Sequence, residues 1–345
     1  KEAIDKDFSY YTPVPGYKDL QEAVCRKFKR DNGLDYKPNQ IIVSTGAKQS
    51  IMNVIMALVN PGDEVLLPGP YWVSYSEMVT LNEGTFVVAP TTIETDFKLT
   101  PALLEKYITP KTKACLFSSP CNPSGTTYTE AELRALGEVF KKHPHVVIIS
   151  DEIYEHINFM GKNFSIAAIP ELFNRTVTVN GLSKAFAMTG WRLGYIGAPK
   201  EIADACNKIQ GQFTSGTCSI AQRAAIAALD ADPKEVIAPM TAQFKKRRDL
   251  IVSLFKEVPN VRVNKPEGAF YLFPEVSWYF GKSDGKTTIK DARELCLWLL
   301  DEAHVAITPG GAFGAPNYMR LSYATSEEKI TEAVKRIKAA LSKLK

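Results

Sequence analysis

Short apolar strands that alternate with helical segments are the feature that most limits how this chain can fold. The predicted strands of the first part of the chain are residues 41–43, 65–67, 86–88, 114–118, 146–150, 177–179 and 193–197. Helical spacing of apolar residues, or a capping residue, marks the segments between most of them. This alternation predicts an α/β fold with a mostly parallel sheet and helices on both faces. In such a sheet, a ligand site lies beyond the carboxyl ends of the strands.

The pattern changes near residue 233, where a second and smaller unit is predicted. A long helical stretch over 233–257 is followed by predicted strands at 261–263 and 269–273 and by a helix at 289–303. Strands at 305–307 and 319–323 and a final helix at 326–344 complete it. We therefore predict a large domain over residues 1–234 and a small C-terminal α+β domain over residues 235–345.

Composition excludes several classes of protein. The chain has 345 residues, a net charge of +4 and no apolar run near the ~18 residues that a membrane helix needs. The densest basic cluster, residues 245–248, follows an apolar helical stretch and is interpreted as a solvated helix face, so neither nucleic acid nor membrane is predicted as a partner. The six cysteines form no CxxC pair, and no His, Cys and carboxylate set has metal-ligand spacing. These features predict a cytoplasmic protein without a bound metal.

The first residue is Lys1 rather than Met, and no signal-like apolar segment follows it. The sequence therefore predicts that the chain starts inside a longer protein.

Four polar clusters follow predicted strands directly. They are residues 44–48, 120–125, 151–154 and 180–184, the last followed by Gly190-Trp191-Arg192. Each has a structural explanation when taken alone: a tight turn, a second turn, a helix N-cap at Asp151 and a surface lysine at Lys184. Because all four fall where parallel strands end, we expect them to meet at one edge of the sheet.

Together the clusters predict a particular kind of ligand. The small residues of the first cluster, at a helix N-terminus, suit an anion. Asp151 suits a protonated ring nitrogen, Asn122 can donate hydrogen bonds, and Lys184 can form a covalent bond to an aldehyde. A phosphate, a basic ring and an aldehyde are the three parts of pyridoxal 5′-phosphate.

At this point the chain resembles a known family, the class I, fold-type I aminotransferases that use pyridoxal phosphate. It is most similar to the bacterial aspartate aminotransferases of subgroup Ib. The pieces that carry the resemblance are Tyr11-Thr12-Pro13 with Gly16, Ser44-Thr45-Gly46-Ala47-Lys48-Gln49, Pro70-Tyr71-Trp72, Asn122-Pro123-Ser124-Gly125, Asp151-Glu152-Ile153-Tyr154, Ser183-Lys184 with Gly190-Trp191-Arg192-Leu193-Gly194, Pro309-Gly310 with Phe313-Gly314, and Arg320-Leu321-Ser322. They run in family order over nearly the whole chain.

The resemblance implies a role for each matching residue. Lys184 is the catalytic residue, which binds the cofactor covalently and later moves a proton as a general base. The implied cofactor-binding residues are Tyr11, Gly46, Ala47, Lys48, Trp72, Asn122, Asp151, Tyr154, Ser183 and Arg192. The implied substrate-binding residues are Trp72, Asn122 and Arg320, with Arg320 on the substrate α-carboxylate. Tyr11 reaches the site of a neighbouring subunit, which implies a homodimer.

The chain departs from the family pattern in three places. The N-terminal arm that closes over substrate in the family is missing. Many relatives place a phosphate-binding serine where this chain has Gly181. Some subgroup members carry a lysine for the substrate side-chain carboxylate where this chain has Met56.

The resemblance implies transamination from L-aspartate to 2-oxoglutarate, giving oxaloacetate and L-glutamate, by a ping-pong mechanism. An aromatic or prephenate aminotransferase on the same scaffold is the nearest alternative. A pyridoxal phosphate-dependent lyase and a non-catalytic relative of the fold remain as further alternatives.

Overall fold

A computed structural model describes residues 1–345 of the chain. One sheet of seven strands organises the first part. Its strands are β1 (Ile41–Ser44), β2 (Glu64–Gly69), β3 (Thr85–Pro90), β4 (Thr112–Ser118), β5 (Val147–Asp151), β6 (Thr176–Gly181) and β7 (Gly194–Gly197). They lie in the order β1-β7-β6-β5-β4-β2-β3, and only β7 runs antiparallel to its neighbours. The predicted α/β class with a mostly parallel sheet is therefore confirmed.

Helices follow most strands and cover the sheet. Those of the first part are α1 (Glu2–Asp5), α2 (Lys18–Lys27), α3 (Ala47–Leu58), α4 (Ser74–Leu81), α5 (Pro101–Tyr107), α6 (Glu130–Lys142), α7 (Pro170–Phe173), α8 (Lys200–Phe213) and α9 (Ser219–Asp230). Two of the helix starts follow from capping, since Thr100 accepts from the amide of Leu103 and Thr129 from that of Glu132.

The strands are apolar on both faces because helices pack on both. Alternate residues of a strand point to opposite faces, and in β2 Val65 and Leu67 join a core with α3, α4 and α8, while Leu66 joins a core with α5 and α6. In β5, Ile149 joins the first of these two cores and Ile148 joins the second. Continuous apolar runs are therefore the sequence signal of these doubly covered strands.

A second sheet of three short strands forms in the last third of the chain. Its strands are β8 (Tyr271–Leu272), β9 (Thr308–Pro309) and β10 (Met319–Ser322), in the order β8-β10-β9 and all antiparallel. The surrounding helices are α10 (Pro233–Val236), α11 (Ala238–Phe255), α12 (Ala292–Ala303) and α13 (Glu327–Leu341). Apolar residues of α11, α12 and α13 form one core that also includes Ile153 and Tyr154 of the first part. The division into domains at residues 234 and 235 stays a prediction.

Several sequence predictions for this region were wrong. Residues 261–263 form no strand, because Arg262 makes only an isolated bridge to Glu275 and its side chain is exposed beside two carboxylates. Residues 305–307 also form no strand, and pairing begins only at Thr308, opposite Arg320. In the first part of the chain, helices α8 and α9 have no counterpart among the sequence predictions.

All six cysteines are free thiols. No helix of the structure combines the length and the apolar character needed to cross a membrane. The cytoplasmic location stays a prediction.

Candidate active site

A cavity of about 380 Å³ lies where the carboxyl ends of β1, β4, β5 and β6 meet the second sheet. This volume is within the usual range of small-molecule sites. The predicted residues that line it are Ala47, Lys48, Trp72, Asn122, Asp151, Tyr154, Ser183, Lys184, Arg192 and Arg320. The four polar clusters therefore meet at one place, as the strand-end argument predicts.

An anion cradle occupies one end of the cavity, at the start of α3. Gly46 precedes the helix with φ +86°, and Ala47 and Lys48 of the first turn line the cavity. The first amides of a helix have no partner within the helix, which makes a helix start suitable for an anion. A Cβ on Gly46 would lie 2.5 Å from Arg192 Nη2, and a Cβ on Gly194 would overlap the backbone of Ala47. Only glycine therefore allows the guanidinium and the neighbouring strand β7 to approach this helix start. Lys48, on the same turn, lies 4.9 Å from the ring centre of Trp72.

Asp151 is a buried carboxylate at the end of β5. Tyr75 Oη donates to its Oδ2 at 2.7 Å, and the amide of Ile153 donates to its Oδ1 at 3.2 Å. Burial raises the pKa of Asp151 to about 6, although both hydrogen bonds and the charge of Lys184 oppose that shift. No helix begins at Asp151, so the N-cap explanation is wrong. A cationic ligand atom in the cavity would stabilise this carboxylate.

Lys184 follows β6 and is half-buried in the cavity. Its Nζ lies 5.6 Å from the ring centre of Tyr154 and 5.5 Å from that of Phe270. Burial lowers the pKa of this amine, and the cations Arg192 and Arg320 lower it further, while Asp151 opposes them. A lowered pKa makes the free amine more available as a nucleophile and as a base.

Arg320, in β10, is held in a fixed orientation at the other end of the cavity. Its guanidinium carbon lies 4.7 Å from the ring centre of Tyr271 and 4.8 Å from that of Phe313. Nη1 donates to Asn122 Oδ1 at 2.9 Å, so the Asn122 amide nitrogen is left to donate elsewhere. Nε of Arg320 is buried and makes no hydrogen bond. Arginine donors in a planar fork suit a carboxylate.

Tyr154 lies between these groups, on the turn that follows β5. Its hydroxyl and that of Tyr271 are 2.8 Å apart, and both side chains are buried. Burial raises the pKa of both phenols, so both remain protonated at neutral pH.

Of the residues in the sequence argument, Gly46 borders the cavity beside Ala47 without lining it, and three others lie outside it. Tyr11 is 96% exposed and does not line the cavity. Met56 lies in a neighbouring groove with Lys48 and Arg192 rather than in the cavity. At Gly181 a Cβ would lie 2.9 Å from both Gly194 Cα and Leu193 O, so β7 leaves little room for the serine that many relatives carry there.

Sequence reasoning missed two tyrosines of the site. Tyr75 lies three residues after Trp72, one helical turn away, and that spacing could have identified it as a second residue facing the site. Tyr271 was predicted only as a strand residue. Its partners Tyr154 and Arg320 are distant in sequence, so no local pattern indicates its position.

Comparison with known proteins identifies a family for the chain. The family of class I and II aminotransferases matches residues 1–337. A bifunctional aspartate aminotransferase and glutamate/aspartate-prephenate aminotransferase from Petunia hybrida is 49% identical over 99% of this chain and 72% of its own length. An aspartate/prephenate aminotransferase from Cereibacter sphaeroides is 49% identical over 98% of this chain and 85% of its own length.

Solved structures give the same result. The crystal structure of the aspartate aminotransferase from Rhizobium meliloti matches with a TM-score of 0.96 and 44% identity, over 100% of this chain and 86% of that one. An aromatic aminotransferase from Pyrococcus horikoshii matches with a TM-score of 0.92 and 37% identity, over 99% of this chain and 90% of that one.

Proposed function

The chain belongs to the class I and II aminotransferases, and from this premise we propose that it is a pyridoxal phosphate-dependent aspartate aminotransferase. It would transfer the amino group of L-aspartate to 2-oxoglutarate, giving oxaloacetate and L-glutamate, in a ping-pong reaction. The observation that carries the proposal is the half-buried amine of Lys184, in one cavity with a buried acid, an anion cradle and an oriented arginine.

The residues present fit pyridoxal phosphate on chemical grounds. The helix start at Gly46, where a Cβ would meet the guanidinium of Arg192, suits a phosphate beside Arg192 and Lys48. The carboxylate of Asp151 is buried, which raises its pKa, and a protonated pyridine nitrogen beside it would supply a stabilising positive charge. Trp72 offers an aromatic face in the same cavity.

Pyridoxal phosphate supplies, when bound, an aldehyde that reacts with amines and a protonated ring that withdraws electrons from the substrate. Lys184 would bind the aldehyde carbon through Nζ and, when the substrate amine replaces it, become a free base. Its lowered pKa then favours removal of the proton from the substrate α-carbon. The same amine would then hold that proton as an acid, so one residue would serve as both base and acid.

Four residues would control the electronics of the ring. Asp151 would hold the proton on the ring nitrogen, with Tyr75 keeping the carboxylate in position. Tyr154 and the free amide nitrogen of Asn122 would donate to the ring oxygen. These contacts act on charge inside a buried cavity, where they are stronger than in water.

Arg320 would bind the α-carboxylate of each substrate in turn. Its Nη1 is used by Asn122, but Nε is buried without an acceptor, so a carboxylate would satisfy an otherwise costly donor. Stacking between two aromatic rings orients the guanidinium before the substrate arrives. Amino and oxo acids that share this carboxylate would therefore bind in the same register.

Aspartate is the proposed donor because related proteins are named as aspartate aminotransferases. An aspartate/prephenate aminotransferase is the second candidate, since relatives 49% identical carry that activity in their names. Aromatic activity on the same scaffold is supported by the name of one structural neighbour. The three candidate activities share the site chemistry and differ in the group that contacts the substrate side chain.

An absorbance experiment tests the chemistry and the donor together. Protein saturated with pyridoxal phosphate should show a visible band that bleaches with L-aspartate alone and returns with 2-oxoglutarate. Prephenate with aspartate or glutamate, and phenylalanine with 2-oxoglutarate, are assayed beside it. Bleaching by phenylalanine but not aspartate would replace the donor, and no band at all would contradict the cofactor proposal.

A lyase would give a different result in the same absorbance assay. It would release ammonia and an oxo acid without any 2-oxo acid acceptor, and Lys184→Ala should abolish either activity. A Lys184→Ala variant that kept full activity would contradict the whole mechanism.

A homodimer is the proposed assembly. A groove of about 540 Å³ beside the cavity shares Lys48 and Arg192 with it, and Leu81 and Phe213 in its lining are 73% and 68% exposed. A second subunit covering this groove would bury that apolar surface and bring its Tyr11 near the phosphate cradle. Sedimentation equilibrium tests the dimer, and Tyr11→Phe should weaken cofactor binding without changing the assembly.

A further inference from the structure

Tyr271 contacts both Tyr154, on the proposed cofactor side of the cavity, and Arg320, on the proposed substrate side. Its hydroxyl lies 2.8 Å from that of Tyr154, and its ring lies under the guanidinium of Arg320 at 4.7 Å. It also pairs with Ser322 across the small sheet, two residues from Arg320 on the same strand. No other side chain makes a hydrogen bond to either hydroxyl.

The hydroxyl pair has room for only one proton between its oxygens. If Tyr154 donates to Tyr271, the hydroxyl proton of Tyr154 lies in that hydrogen bond and cannot point into the cavity. If Tyr271 donates to Tyr154, the proton of Tyr154 is free to reach an acceptor there. Two cations face the rings of the pair, Arg320 at 4.7 Å from the ring centre of Tyr271 and Lys184 at 5.6 Å from that of Tyr154. The nearer cation favours release of the Tyr271 proton more strongly, which makes Tyr271 the better donor.

We propose that Tyr271 is a positioning residue, which donates to Tyr154 so that Tyr154 can donate to the cofactor ring oxygen. The proposal rests on the proposed function and adds a residue to it. The charged groups that face the pair are Asp151 and Lys184 from the strand ends of the large sheet and Arg320 from the small sheet. Chains of hydrogen bonds polarise one another, so the Tyr154 bond to the ring oxygen strengthens when Tyr271 donates.

The matched variants are Tyr271→Phe, which removes only the hydroxyl, and Tyr323→Phe. Tyr323 is also buried and donates only to the carbonyl of Ala269, at 3.3 Å, near the same small sheet. The readout is the pH midpoint of the visible absorbance change of the cofactor-loaded protein, without substrate. Tyr271→Phe should raise that midpoint by roughly half a pH unit, because the deprotonated ring form loses part of its stabilisation. Tyr323→Phe should leave it within about 0.1 unit.

A double-variant cycle separates positioning from general structural damage. In a Tyr154→Phe background the added Tyr271→Phe change should shift the midpoint no further, because its effect passes through the Tyr154 hydroxyl. An equal shift in both backgrounds, or no shift in the single variant, would overturn the proposal. If the unaltered protein shows no cofactor band, the proposed function fails instead.

The ring of Tyr271 gives a second and independent readout. Tyr271→Leu removes the face under Arg320, and the KM for amino donors should rise about five- to tenfold. Tyr271→Phe keeps the ring, so its KM should stay within about twofold of the unaltered protein. A KM that rises equally in both variants would contradict the stacking role.

Discussion

Glu152 provides a sharp test of the electrostatics beneath the active site. It follows Asp151 directly and is 1% exposed. Ser165 and Ser150 donate their hydroxyls to its Oε1 at 2.6 Å and 3.0 Å. Burial, and then the charge of the neighbouring Glu155, raises the pKa of Glu152 to about 8. The acid is therefore neutral in the folded protein at neutral pH, whereas it ionises near 4.5 when unfolded.

The difference in the pKa of Glu152 between the folded and unfolded chain makes the free energy of unfolding depend on pH. Between about pH 4.5 and 8 the unfolded chain has lost the proton that the folded chain keeps, so the free energy of unfolding falls as pH rises. From pH 5.5 to 8 the loss from this single group is about 3 kcal/mol. At ~2.1 cal/mol/K per residue over 345 residues, that equals a fall in Tm of about 4 °C.

Glu152→Gln should remove that loss, because glutamine is neutral at every pH and can accept from the same two serines. The Tm of the variant minus that of the unaltered protein should be near zero at pH 5.5 and about +4 °C at pH 8. Scanning calorimetry at equal protein and saturating cofactor concentrations measures both. Glu201→Gln, an exposed glutamate on the first turn of α8, is the matched control and should show no trend.

A difference in Tm that stays constant across pH would refute the reasoning, since Glu152 would then have an ordinary pKa. A difference that falls as pH rises would also refute it. That result would mean that Glu152 is ionised and paired in the folded protein.

Three further predictions concern separate parts of the molecule. Lys27→Met removes the cation that pairs with buried Glu155 and helps to lower the pKa of Glu155 to about 2. Because the variant leaves a buried charge without a partner, urea unfolding at pH 7 should show a free energy of unfolding reduced by about 3–5 kcal/mol. Gly194→Ala places a Cβ against Ala47 at the anion cradle and should weaken cofactor binding at least tenfold in a fluorescence titration, with secondary structure by circular dichroism unchanged. Arg320→Lys keeps the charge but loses the planar fork, so steady-state kinetics should show kcat/KM for amino donors reduced about 10- to 100-fold.

The location of the site could be predicted from sequence because a parallel sheet converts order along the chain into proximity. The apolar runs of β4, β5 and β6 each end at a polar cluster, and parallel pairing brings Asn122, Asp151 and Lys184 to one edge. The small sheet could not be predicted equally well. Its strands β8 and β9 contain two residues each, and their pairing depends on contacts with β10 rather than on local periodicity.

The roles of Tyr75 and Tyr271 could not be predicted for a related reason. Each acts on a residue whose own function is visible in sequence, Asp151 and Tyr154, but through a hydrogen bond that only the tertiary structure creates. Buried tyrosines are also common core residues, so their presence in an apolar segment carries little information about function.

The turn after β5 has two faces, and this explains its three acids. Asp151 and Tyr154 face the cavity, while Glu152 and Glu155 are buried on the opposite side. There Glu155 pairs with Lys27 of α2 and accepts a hydrogen bond at 2.7 Å from Asn180, four residues before Lys184.

A buried ion pair is an inefficient way to stabilise a fold, because desolvation offsets most of its attraction. This network instead joins the two strand ends that carry the acid and the amine of the active site. Asn180 Oδ1 also accepts a hydrogen bond from the amide of Gly181 at 2.7 Å, so Asn180 connects the turn after Asp151 to the loop that carries Lys184. We infer that these buried acids hold the spacing between Asp151 and Lys184, on which the proposed chemistry depends.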